Sequence, residues 1–108
     1  MNLNNLTEKK IYAFLNCFNE TCFLSDEFSE FSNELLYMVL QKQPELILNV
    51  LSNHSDLSLD YICFELENPV NEGIDVNKAY ILVTHVNNYK KEKDRILKAI
   101  KTALDKID

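Results

Sequence analysis

Five side chains in this sequence could act as nucleophiles, general bases or metal ligands: Cys17, Cys22, Cys63, His54 and His85. Two of the cysteines are separated by four residues, which is an unusual spacing for zinc, and no second close pair accompanies them. Structural zinc sites usually combine two close pairs of ligands, and each pair lies in a turn with a short gap between its two residues. Reduced cysteines are common residues of protein cores. The sequence therefore predicts no metal site and no cofactor.

The histidines lack the neighbours that catalysis would require. A Glu-x-x-His pair marks the carboxylate-bridged metal centres of helical bundles, but the residues three positions before His54 and His85 are Leu51 and Leu82. No local pattern places a base beside a nucleophile. With Gly73 as the only glycine, the chain has no phosphate-binding loop and no nucleophile elbow. The sequence predicts a protein that is not an enzyme, and a Cys or His centre assembled by folding is the third hypothesis.

The formal charges divide the chain into an acidic part and a basic part. Residues 1–77 have a net charge of −10, and residues 78–108 have a net charge of +4. No lysine or arginine occurs between Lys42 and Lys78. Solvated surfaces ordinarily mix both signs, so this stretch indicates a basic protein partner that it attracts and holds. The same acidity argues against nucleic acids and anionic membranes as partners.

Two groups of acidic residues could form the surface that meets this partner. The first follows the second predicted helix at spacings of three and four residues, which places its members on one ridge. The second lies between positions 56 and 75. The predicted partner-binding residues are Asp26, Glu27, Glu30, Glu34, Asp56, Asp60, Glu65, Glu67, Glu72 and Asp75. For any one of them, an ordinary solvated position is the alternative.

The composition predicts one all-α domain spanning residues 1–108. Hydrophobic residues make up 46% of the chain, which is enough for a core at this length. A chain with a single glycine and two prolines is a poor candidate for a many-turned β protein. We predict five to six helices, with N-caps at Asn5, Ser25 and Asp75 and with Pro44 as the first residue of the third helix.

Apolar residues at helical spacing predict which helix faces are buried. The last helix is the most regular, because lysines surround its stripe of aliphatic residues. The predicted core positions are Ile11, Phe14, Leu15 and Phe18; Phe28, Phe31, Leu35, Met38 and Val39; Leu46, Ile47, Val50 and Leu51; and Ile96, Leu97, Ile100, Ala103, Leu104 and Ile107.

Two segments are compatible with either helix or strand. Residues 57–66 alternate partly as a strand would, and residues 79–86 are rich in residues with high β propensity. We predict helices for both, with an α+β fold carrying strands at 57–66 and 79–86 as the alternative. The helices would then pair in sequence order as antiparallel α-hairpins, in a layout like that of helical-repeat proteins.

The acidic residues named above, the small size and the absence of catalytic motifs together give a profile that resembles small acidic immunity proteins of bacterial toxin–immunity systems. This resemblance implies a cytoplasmic inhibitor that neutralises a basic toxin, with a nuclease as the expected target, by covering its active site. The N-terminal residues have no features of a signal peptide, and no apolar run is long enough to span a bilayer.

A helical-repeat scaffold or adaptor is the alternative function. Such a protein would bind its partner through an apolar groove between helices, and binding would be insensitive to salt. Exposed tyrosines would line that groove, and the candidates are Tyr12, Tyr37, Tyr61 and Tyr89. The oligomeric state stays open, because the apolar face of the last helix could pack within the chain or across a dimer.

Overall fold

Six α-helices make up most of the described chain. The computed structural model describes the backbone of residues 6–19, 26–70 and 73–107, and the side chains of residues 6–18, 32–70 and 73–106. No strand occurs within these ranges, so the all-α prediction is confirmed. A short 3₁₀ helix, Cys17–Asn19, follows the first helix. The α-helices are α1 (Glu8–Asn16), α2 (Asp26–Lys42), α3 (Pro44–Asn53), α4 (Leu59–Glu67), α5 (Val76–Thr84) and α6 (Lys90–Ile107).

Both segments that could have been strands are helical. They form α4 and α5, so the α+β alternative with strands at 57–66 and 79–86 is wrong. In α5, the buried residues Val76, Ala79 and Val83 recur at helical spacing and face the core. Burial of this face outweighs the β propensity of the individual residues, which is a weak and context-dependent preference.

Side-chain caps fix the starts of α1, α4 and α5. The Thr7 hydroxyl accepts a hydrogen bond from the Lys10 amide at 3.2 Å, so α1 begins two residues later than a cap at Asn5 would place it. Asp75 caps α5 as predicted, with its carboxylate 2.9 Å from the Lys78 amide. A proline is also confirmed as the first residue of α3. Each cap satisfies an amide that has no partner within its helix.

The core contains most of the predicted residues. The stripe of α6 is buried at Ile96, Ile100 and Ala103, so this face packs within the chain. Leu35 and Val39 on α2 are buried as expected, but Met38 is wrong as a core residue because it is 47% exposed. Leu36, Tyr37 and Leu40 form the centre of the buried face of α2 instead. Among the predicted caps and core residues, those that lie outside the described side chains are Asn5, Ser25, Phe28, Phe31 and Ile107.

Among the described residues, the packing is centred on α6 and does not form a row of consecutive hairpins. α4 and α5 both pack along α6, and α3 also contacts it. The α5–α6 pair is adjacent as predicted, whereas α3 packs mainly on α1 and α2 and α4 packs mainly on α6. The similar extents of 33, 32 and 26 Å fit this arrangement. No helix in the described part of the chain is long and apolar enough to cross a bilayer.

Candidate functional site

The described cysteines have the surroundings of structural residues. Cys63 is buried on α4, and its thiol donates a hydrogen bond to the Arg95 carbonyl on α6 at 3.6 Å. Burial raises the pKa of the Cys63 thiol, which keeps it protonated and a poor nucleophile at neutral pH. Cys17 is half-buried and donates to the Ala13 carbonyl at 3.6 Å. Cys22 lies outside the described residues.

No metal centre is formed by the side chains that the structure describes. Within those ranges, no three His, Cys, Asp or Glu residues are grouped so that they could hold a metal ion. His85 is the C-cap of α5 and is exposed, and His54 lies in the connection between α3 and α4. The two histidines therefore belong to different parts of the fold.

A polar cluster joins α1 to the α3–α4 connection. The Tyr12 hydroxyl donates to the Asp56 carboxylate at 2.5 Å, and the Tyr12 ring lies 4.3 Å from the ring of His54. His54 Nε2 is 3.6 Å from the Glu8 carboxylate. The hydrogen bond from Tyr12 lowers the pKa of Asp56. Asp56 therefore has a structural partner, and the cluster contains no activated nucleophile.

The structure gives intramolecular roles to several residues of the predicted acidic surface. Asp60 on α4 pairs with Arg95 on α6, and Glu65 accepts a hydrogen bond from the buried Asn33 amide at 2.9 Å. Asp75 is committed to capping α5. These contacts leave less of the acidic group available to a partner than the sequence indicates. The side chains of Asp26, Glu27, Glu30 and Glu72 lie outside those that the structure describes.

Basic residues of α6 lie at both ends of α4. Arg95 reaches Asp60 near the start of α4, and Lys106 donates to the Glu67 carbonyl at 3.3 Å and to the Asn68 side chain at 3.1 Å near its end. Glu67 itself is half-buried. The acidic and basic parts of the sequence therefore meet along the α4–α6 contact, and part of the charge separation is cancelled in the fold.

Two aromatic side chains stand out on the solvent-facing side of α4. Phe64 is 60% exposed and Tyr61 is 44% exposed. Their rings meet edge to face with centroids 6.4 Å apart. The sequence analysis named Tyr61 as a possible groove residue but missed Phe64. A signal was available, because Phe64 lies outside the buried stripe formed by Ile62, Cys63 and Leu66.

An open polar cavity of about 390 Å³ adjoins the start of α4. It lies between the α3–α4 connection and the first turns of α6. Its lining contains both signs of charge, from the carboxylates of Asp60 and Glu92 and the basic side chains of Lys91 and Arg95. The mixture favours no single ligand. The cavity shares Asp60 with the border of the Tyr61–Phe64 face. This face, together with its acidic neighbours Asp60 and Glu67, is the candidate functional site.

Comparison with known proteins finds no relative of this chain. No protein-family model matches it. No curated protein and no solved structure is significantly similar to it. A functional proposal must therefore be built on the exposure, charge and contacts of the chain's own residues.

Proposed function

We propose that this protein is a binding protein that inhibits a basic protein partner, and that the Tyr61–Phe64 face of α4 is the centre of the contact. The observation that carries the proposal is the exposure of Phe64, a fully apolar side chain that is 60% exposed beside a second exposed aromatic ring. Burying this pair against a partner would remove a large apolar area from water.

Aromatic residues are suited to the centre of an interface. Binding energy is concentrated in a few anchors, among which tyrosine is enriched, and polar contacts around them exclude water. Phe64 and Tyr61 are one helical turn apart, so they could enter one concave feature of a partner together. The rest of α4 is held to the fold by Ile62, Cys63 and Leu66. A rigid helix presents such anchors at little entropic cost.

The charges around the anchors favour a basic partner. Asp60 has a side chain that is 88% exposed despite its pairing with Arg95, and a pair so exposed is strongly screened by water. No basic residue occurs in the sequence from 43 to 77. An acidic border around an apolar centre accelerates association with a basic surface and penalises acidic competitors.

A cytoplasmic immunity protein that neutralises a nuclease toxin of bacteria fits this surface best. A nuclease binds a polyanion and therefore carries a basic active-site cleft. An acidic protein with an aromatic anchor could cover that cleft and compete with nucleic acid without any catalytic group of its own. The acidic composition and the absence of a catalytic motif in the sequence support this function.

Capture of the partner from the native cell tests the proposal. We expect the wild-type chain to retain a basic protein at a one-to-one ratio and to inhibit that protein's nuclease activity. Phe64→Ser should weaken the complex by at least about tenfold, which is the effect of losing one central anchor. Because Phe64 is exposed, the variant should fold normally, and its circular dichroism checks this.

Ile81→Ser is the matched control, because Ile81 is an exposed apolar residue on a different helix, α5. Its complex should be as tight as that of the wild type. The affinity of the complex should fall as salt is added, since salt screens the attraction between the acidic border and a basic partner. Capture that survives Phe64→Ser and high salt would reject the proposal and favour the adaptor function.

A further inference from the structure

A second surface, lined by no residue of α4, lies between α2 and α5. It consists of two adjoining depressions of about 320 and 380 Å³. Both are lined by Met38 and Gln41, so these residues mark the middle of one continuous groove. The Gln41 amide donates to the Asp75 carbonyl at 3.1 Å. This contact fixes one wall of the groove to the start of α5, so the groove is already formed in the isolated chain.

The groove has an apolar centre. Met38 is 47% exposed, although its neighbours Tyr37 and Val39 are buried. Leu82 lines the α5 side of the groove. Methionine is unbranched and polarizable, and it adapts to irregular surfaces that meet it. An exposed methionine between two helices is therefore well suited to pack against another protein surface.

The two halves of the groove carry opposite charges. Glu34 and Asp75 line the depression on one side of Met38. Lys42 and Lys78 line the depression on the other side. A partner with a single sign of charge would be attracted at one half and repelled at the other. The surface that complements this groove must be acidic at one end, apolar in the middle and basic at the other end.

The groove is itself such a surface. We propose that a second copy of this chain docks here, with a twofold axis passing close to Met38. A twofold axis places the same patch of both chains in contact. The acidic half of each copy then faces the basic half of the other, and the two Met38 side chains meet at the centre. This surface is separate from the Tyr61–Phe64 face, so a dimer could still bind the partner proposed above.

The association should be weak. Each chain carries a formal charge of −6, so two chains repel each other over most of their surfaces. The groove is also small compared with the interfaces of stable dimers. Salt screens both the general repulsion and the attraction within the groove, so the salt dependence of dimer formation cannot separate the two. The change in dimer affinity when charges in the groove are exchanged is the informative measurement.

Sedimentation equilibrium of the full chain, at concentrations up to about 1 mM, tests the proposal. We expect a reversible monomer–dimer equilibrium. Glu34→Lys alone should weaken the dimer by about tenfold, because it places lysines opposite lysines, and Lys42→Glu alone should do the same with carboxylates. The double variant E34K/K42E restores opposite charges across the axis, so its dimer should return to within about threefold of the wild type.

Methyl NMR locates the contact independently. The chain has two methionines, Met1 and Met38, so methyl labelling of methionine gives two signals. The Met38 signal should shift with protein concentration. Phe64→Ser should leave both the dimer and this shift unchanged, which separates a failure of this proposal from a failure of the inhibitor function.

Three results would overturn the proposal. The first is a monomer at every concentration. The second is a dimer that the double charge exchange fails to restore. The third is a Met38 signal that shifts only when the captured partner is added, which would assign the groove to that partner.

Discussion

The contact between Tyr12 and Asp56 illustrates how single residues of this chain are committed by folding. They are 44 positions apart in the sequence and 2.5 Å apart between hydroxyl and carboxylate in the fold. The hydrogen bond lowers the pKa of Asp56 and raises the pKa of Tyr12. Tyr12 is half-buried and Asp56 is exposed. Their hydrogen bond therefore holds the α3–α4 connection on α1 at a site that is accessible to water.

Tyr12→Phe should remove this pH-dependent stabilisation. Because the pKa of Asp56 is lower in the folded state, its contribution to stability is present above its unfolded pKa. That contribution is lost as the pH falls through the folded pKa, below about pH 4. We therefore expect the wild type to be more stable than Tyr12→Phe at neutral pH, and the difference to shrink in acid.

Carboxyl NMR titration of Asp56 and urea unfolding at several pH values measure these effects. The pKa of Asp56 should rise in Tyr12→Phe. Tyr80→Phe, which removes a hydroxyl from α5, should leave it unchanged. An unchanged Asp56 titration in Tyr12→Phe would contradict the assigned cause.

At the scale of elements, Asn33 joins α2 to the end of α4. It is fully buried, and its amide group donates to the Glu65 carbonyl at 2.9 Å and to the Asn68 carbonyl at 3.2 Å. Its carbonyl oxygen accepts from the Val70 amide at 3.2 Å. Asn33 thus satisfies the Asn68 carbonyl and the Val70 amide just beyond α4, and it is a second donor to the Glu65 carbonyl, which also accepts from the Asn68 amide. It also fixes the direction of the chain after the helix that carries the proposed interface.

Asn33→Ala should lower the free energy of unfolding by about 3 kcal/mol, because it removes several hydrogen bonds and leaves partly buried backbone groups unsatisfied. Urea unfolding followed by circular dichroism measures the change. Asn53→Ala, at an exposed end of α3, is the matched control and should change stability by less than about 1 kcal/mol. Equal effects of the two substitutions would contradict the joining role of Asn33.

For the molecule as a whole, α6 both organises the core and redistributes the charge. It packs against α3, α4 and α5, so its buried stripe contributes to most of the fold. Its basic residues Arg95 and Lys106 contact the two ends of α4. The part of the sequence with net positive charge therefore moderates the acidic part at both ends of α4.

Ile100→Ala should destabilise the entire molecule, because Ile100 is fully buried in the middle of α6. We expect a loss of about 3 kcal/mol, within the range for aliphatic truncations in cores. Ile81→Ala makes the same chemical change at a site that is 47% exposed on α5, and it should cost less than about 1 kcal/mol.

Urea unfolding followed by circular dichroism and by tyrosine fluorescence tests this expectation. The two probes should report one cooperative transition in Ile100→Ala. Separate transitions would indicate a linear repeat in which α1–α3 fold independently of α6, and would contradict the central role of α6.

The sequence by itself determined the helical class, the starts of α3 and α5 and the buried stripes of α1, α3 and α6. These features follow from local rules, since a cap acts within three residues and a helical stripe repeats every three or four. The same rules failed at Met38 on α2. Apolar residues occur on more than one face of this helix, so the helices that pack against it decide which face is buried.

The tertiary structure alone decided which predicted residues are available to a partner. Asp60 and Glu65 are engaged by Arg95 and Asn33, which are 35 and 32 positions away. The exposure of Phe64 likewise depends on how α4 sits on α6. Charge and hydrophobicity are properties of residues, but availability depends on contacts between distant segments. The acidic stretch therefore predicts a basic partner, and the packing of α4 leaves Tyr61 and Phe64 exposed as the proposed surface for it.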